Sequence, residues 1–182
     1  MLRTMNVSIS QILSGTPLWV FVLLGYLVWV GATRLKAGVR SLTRIWITPG
    51  IFIVWGLIGL FQRPGSFSEV LLRWAVGLVL GVALGIAFRI PMRVDRPRRL
   101  VALPGSILPL LRVLIIFGSH YVLRVAAAIH PDAGAGYLNW DIYVSGASAG
   151  YFFGWSIRFM MSYAKAPQVD LGAVPTPTPG QA

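Results

Sequence analysis

Five long apolar runs, separated by short stretches rich in arginine, limit what this chain can become. A bilayer span needs about 20 predominantly apolar residues, and runs near that length lie at residues 17–33, 45–61, 69–88, 106–129 and 141–163. With 56% hydrophobic residues, 12% charged residues and a mean hydropathy of +0.73, the chain is too apolar for a soluble domain. Soluble domains carry about a quarter of charged residues. The expectation is an all-α, polytopic membrane bundle of five transmembrane helices, a single domain over residues 17–164. A short N-terminal segment, residues 1–16, precedes it, and Pro-Thr alternation makes residues 165–182 a disordered tail. Pro49-Gly50, early in the second run, predicts a kink or the true helix start there.

Charge sets the orientation. Arg34, Lys36, Arg40 and Arg44 separate runs one and two, Arg89, Arg93, Arg96, Arg98 and Arg99 separate runs three and four, and Lys165 follows run five. Only Arg3 and Arg63 fall on the opposite side, so the arginine-rich side is expected to be cytoplasmic, with the N-terminus outside and the C-terminus inside. Arg34 and Lys36 follow the first run, and residues 30–34 make a poor small-residue cleavage site, so that run is expected to be an uncleaved anchor and not a signal peptide. A net charge of +11 spread between apolar runs follows membrane topology instead of forming a nucleic-acid footprint. The basic linker over 89–100, with Arg89, Arg93, Arg96, Arg98 and Arg99, is also suited to contact anionic lipid headgroups.

Two of the linkers resemble each other. At an offset of 55, residues 34–50 and 89–105 share Arg34/Arg89, Val39/Val94, Arg44/Arg99, Pro49/Pro104 and Gly50/Gly105. A parallel duplication of a two-span hairpin, with the fifth span added, would produce this, and so would the shared demands on two basic loops ending in Pro-Gly.

Glycine supplies the strongest spacing signal. Gly77, Gly81 and Gly85 in run three, and Gly146, Gly150 and Gly154 in run five, recur every four residues. Small residues at that spacing let helix backbones approach closely in lipid, where hydrophobic segregation cannot drive association. Runs three and five are therefore expected either to pack on each other as parallel helices or to form a subunit interface.

Run four holds Arg112, His120 and Arg124 among apolar residues. A mid-bilayer arginine costs about 2.5–3.5 kcal/mol, and each Leu, Ile, Val or Phe returns about 0.3–0.6. The apolar residues outweigh both arginines, which can extend toward the two interfaces. His120 is shorter, one turn from Arg124, and needs hydrogen-bond partners inside the bundle. It is either structural glue or the wall of a polar cavity with Arg124, Arg112, Glu69 and Arg73 that binds an anion or passes a proton. Glu69 and Arg73 are also spaced for an ion pair.

Catalytic patterns are missing. The chain has no cysteine, two histidines and five scattered acids, with no metal-ligand spacing, nucleophile elbow or phosphate-binding glycine loop. No enzyme activity, metal or cofactor is expected. The segments TPLWVFVLLGYLVWVG, ALPGSILPLLRVLIIFGSHYVLRVAAAIHP and GYFFGWSIRF, with the basic Pro-Gly loop, resemble an uncharacterised family of small proteobacterial inner-membrane proteins. A fainter likeness is to CcdC-like membrane proteins. The resemblance implies a bacterial inner membrane and no assigned activity. Without cysteine, a thiol role in cytochrome maturation is excluded for this chain. The expected function is a non-catalytic structural or accessory membrane component, in contact with lipids and with itself or another membrane protein. The alternative is a small carrier or channel for an anion or proton.

Overall fold

An apolar run offers its backbone no side-chain partners, so a helix is the arrangement that pairs N–H and C=O groups within the segment. The computed structural model describes residues 15–61 and 66–172. Its main elements are five helices: α1 (Leu18–Ala32), α2 (Leu42–Phe61), α3 (Phe67–Ala87), α4 (Leu108–Ile129) and α5 (Gly134–Lys165). Two of them, α3 and α4, are long and apolar enough to cross a membrane. Arg3 and Arg63, on which the expected outer side rests, lie outside the described residues.

The purely helical expectation needs correction at one end. The linkers carry β1 (Gly38–Ser41), β2 (Arg93–Asp95) and β3 (Leu100–Leu103), an antiparallel sheet in the order β1-β3-β2. Strands of three and four residues leave almost no alternation to read, and β1 finds its partner across two intervening helices. The register sets Arg40, Val101 and Val94 side by side, and Val39 beside Ala102. Val94 and Val101 are fully buried with Ile45, Met92 and Phe159, which anchors the sheet against α2 and α5. The tail joins this cluster: Val94 N–H donates to the Pro167 carbonyl at 3.2 Å, and Val169 N–H to the Val94 carbonyl at 2.9 Å. Disorder from residue 165 is thus corrected for this stretch, and residues 173–182 lie outside the described residues.

The two similar linkers differ in structure. Their offset aligns β1 with β2, but Val39 is half exposed whereas Val94 is buried, because Val94 lies level with Arg40 across the sheet. A strand shifted by one residue turns each side chain to the other face. Pro49-Gly50 lies inside α2, while Pro104-Gly105 precedes α4. Of the kink or helix start expected at Pro49-Gly50, the start lies instead at Leu42, whose N–H donates to the Arg99 carbonyl at 2.9 Å. Arg99 occupies the left-handed region at φ 52°, which aims that carbonyl back from the β2–β3 turn.

Helix α5 is the hub, packing against α2, α3 and α4, while α1 packs against α4. It begins at Gly134, two turns ahead of the apolar run expected from residue 141. Before it lies a short 3-10 helix, Pro131–Ala133.

Candidate functional site

The α3–α5 contact is built from backbone. A β-carbon added at Gly77 would strike the Tyr143 carbonyl, at Gly81 the Ala147 carbonyl and at Gly85 the Tyr151 carbonyl. In return, Gly146 faces the Trp74 carbonyl, Gly150 that of Leu78 and Gly154 that of Val82. Residue numbers rise together on both helices, so the pair is parallel. All six glycines are buried. The opposite faces of α3 carry Leu71, Leu72, Val76, Val79, Leu80 and Leu84, all exposed.

On its other side α5 meets α4 through polar groups. Asp141 is fully buried, and its Oδ1 makes a short contact with His120 Nδ1. Arg124 Nη2 stands 3.4 Å from Asp141 Oδ2, with the arginine side chain 65% exposed. The three residues meet because His120 and Arg124 are one turn apart on α4 and Asp141 faces both from α5. Burying a carboxylate is costly unless it is paired and hydrogen-bonded. Two cationic or donor groups on one carboxylate meet that demand, with Arg124 reaching the edge of the bundle.

Arg112 is two turns away, so it is not part of this cluster. Its guanidinium lies 5.3, 5.2 and 5.5 Å from the ring centres of Tyr151, Phe152 and Trp155, and Nη1 donates to the Tyr151 hydroxyl at 3.4 Å. The expected extension toward the inner interface is replaced by an aromatic cage, which supplies cation–π attraction where no carboxylate is near. Glu69 and Arg73 pair with each other at 3.1 Å on α3. α5 packs against both α3 and α4, which make no comparable contact with each other. The cavity envisaged from His120, Arg124, Arg112, Glu69 and Arg73 is therefore split into three separate places. Beside His120 on α4, the Tyr121 hydroxyl is hydrogen-bonded to the Thr16 hydroxyl at 2.8 Å.

Asp141 is the residue that sequence reasoning missed. The usable signal was an acid opening an apolar run in a chain with only five acids, since a charge buried among apolar residues calls for a partner of opposite sign. Among the described residues no cluster of three or more His, Cys, Asp or Glu is arranged for a metal ion.

The linker arginines divide by role. Arg96 donates to the carbonyls of Tyr163, Ala164 and Ala166 at 3.2, 3.3 and 3.2 Å, capping the end of α5. A cation there satisfies orphaned carbonyls and opposes the negative end of the helix dipole. Arg98 donates to Asp170 at 2.5 Å and lies 3.8 Å from Asp95. Of the five arginines expected at lipid, these two have protein partners. The exposed side chains of Arg89, Arg93 and Arg99 have no hydrogen bond or ion pair among the described residues. Burial, and secondarily the nearby Arg40 and Arg112, pushes the Arg34 guanidinium below its usual range.

Residues 2–167 match DUF6622, a family of unknown function. No curated protein and no solved structure matches the chain.

Proposed function

Because the chain belongs to a family of unknown function, its role rests on its own geometry, and we propose a five-span inner-membrane protein without catalytic chemistry. It acts as a structural or accessory component, with its N-terminus outside and its C-terminus in the cytoplasm. The inversion of α3 carries this reading: Gly77, Gly81 and Gly85 are buried while Leu72, Val79 and Leu80 are about two-thirds exposed. Leaving a Leu or Val in water instead of burying it forfeits about 1.5–3 kcal/mol. Lipid removes that penalty, and close glycine packing then becomes the source of helix association. α4 points the same way, since none of its residues is buried although most are apolar. The sheet end, with its linker arginines, is the cytoplasmic end on charge grounds.

Fractionation tests the placement. The full chain is expected in the membrane pellet after alkaline carbonate washing, and a reporter fused behind Ala182 is expected to be active in the cytoplasm. Recovery in the soluble fraction, or a periplasmic reporter, would overturn it.

The buried Asp141 with His120 and Arg124 favours a second reading, a path for a proton or an anion at α4–α5. Replacing His120 by Leu separates the two. Loss of proton or anion flux in proteoliposomes with unchanged assembly supports transport, and loss of assembly supports a structural cluster.

A further inference from the structure

Beyond the contact of exposed linker arginines with lipid, the structure holds a built basic groove at the cytoplasmic end of the α3–α5 pair. Its volume is about 620 Å³, and its lining includes Arg89 and Met92 from the link after α3, and Arg158, Met161, Ser162 and Lys165 from α5. Arg158, Ser162 and Lys165 are spaced four and three apart, so one face of α5 presents two cations and a hydroxyl together. Arg89 closes the opposite wall.

Three observations point to an anionic occupant. None of the five acids of the chain lines the groove, so its three cations lack a carboxylate there. The last carbonyls of α5, which would otherwise attract Lys165, are already taken by Arg96. The Nε of Arg158 is buried and has no hydrogen-bond partner among the described residues. A buried guanidinium N–H without an acceptor is costly, and a turn of the Arg158 side chain into the groove would let an oxygen-rich anion satisfy it. Ile90, Met92 and Met161 add apolar wall beside the cations, which a free inorganic ion would not use.

We propose that this groove holds the phosphate group of an anionic phospholipid of the inner leaflet, with Arg89, Arg158 and Lys165 around the phosphate oxygens and Ser162 donating to one of them. Ile90, Met92 and Met161 line the start of its hydrophobic part. The inference rests on the membrane placement proposed above.

The test uses the full chain in detergent, titrated with phosphatidylglycerol or phosphatidylcholine and read by native mass spectrometry. The variant Arg89→Gln/Arg158→Gln/Lys165→Gln is compared with Lys36→Gln/Arg40→Gln/Arg44→Gln, which removes equal charge outside the groove and outside the 89–100 linker. Each groove cation removed is expected to weaken phosphatidylglycerol binding about fivefold, so the triple variant loses about a hundredfold. The control is expected to change less than about fivefold. Lys165→Gln alone, at an exposed position, should cost about fivefold with unchanged helicity, which separates binding from folding. Equal losses in groove and control variants would overturn the site. Displacement of the lipid by inorganic phosphate at equal concentration would overturn the lipid assignment. Recovery of the protein without detergent would instead overturn the membrane placement, and is seen before any binding is measured.

Discussion

Helix α5 is held in two different ways on two of its sides. Toward α3 it offers Gly146, Gly150 and Gly154, and the two backbones touch with almost nothing between them. Toward α4 it offers the tips of side chains, Asp141 to His120 and Arg124, and the rings of Tyr151, Phe152 and Trp155 to Arg112. Tyr151 belongs to both, since its backbone meets Gly81 and Gly85 while its ring meets Arg112. A contact between backbones refuses any added atom. A contact between tips tolerates added bulk but depends on both partners being present.

The difference has graded consequences. Gly81→Leu or Gly150→Leu should have the largest effect, about 3 kcal/mol or more, because the new side chain must force the helices apart. The expected observation is a lower unfolding temperature in detergent and poor recovery of folded protein. Unchanged stability in both variants would mean that the α3–α5 contact is not closely packed.

Asp141→Leu comes next, at about 2 kcal/mol. Arg124 is mostly exposed and can turn outward, so the cost stays below that of stranding a fully buried ion pair. Asp141→Asn keeps an acceptor for His120 and should recover part of the loss in the same melting assay. Equal melting of Asp141→Leu and the parent chain would mean that the cluster does not hold α4 to α5.

Arg112→Met should cost about 1–2 kcal/mol, since the methionine fills some of the cage but loses the cation–π attraction. An equal loss from Arg112→Lys would show that the planar guanidinium matters more than its charge. Glu69→Ala should be the smallest change, about 0.3–0.5 kcal/mol, because the pair with Arg73 is exposed. A larger drop would mean that Glu69 has a partner in the assembled protein beyond this chain.

Much of the helix placement could be read from apolar run lengths, and the glycine spacing named the residues of the α3–α5 contact because a four-residue recurrence is a local signal. The sheet was hidden for the opposite reason. Residues 38–41, 93–95 and 100–103 are too short to show a period, and they become strands only by meeting across helices. Arg96 shows the same limit: in the sequence it is one more basic linker residue, and only the fold brings it to the end of α5.

Hydropathy and residue spacing alone determined that helices would form, which of their positions could allow close approach, and that His120 would need a partner. These follow from forces acting within a few residues along the chain. Only the tertiary structure decided that Asp141 is that partner, that Arg112 enters an aromatic cage, and that Glu69 and Arg73 stand apart from both. Such pairings depend on how α4 and α5 are turned toward each other, and that rotation is set by the packing of the whole bundle.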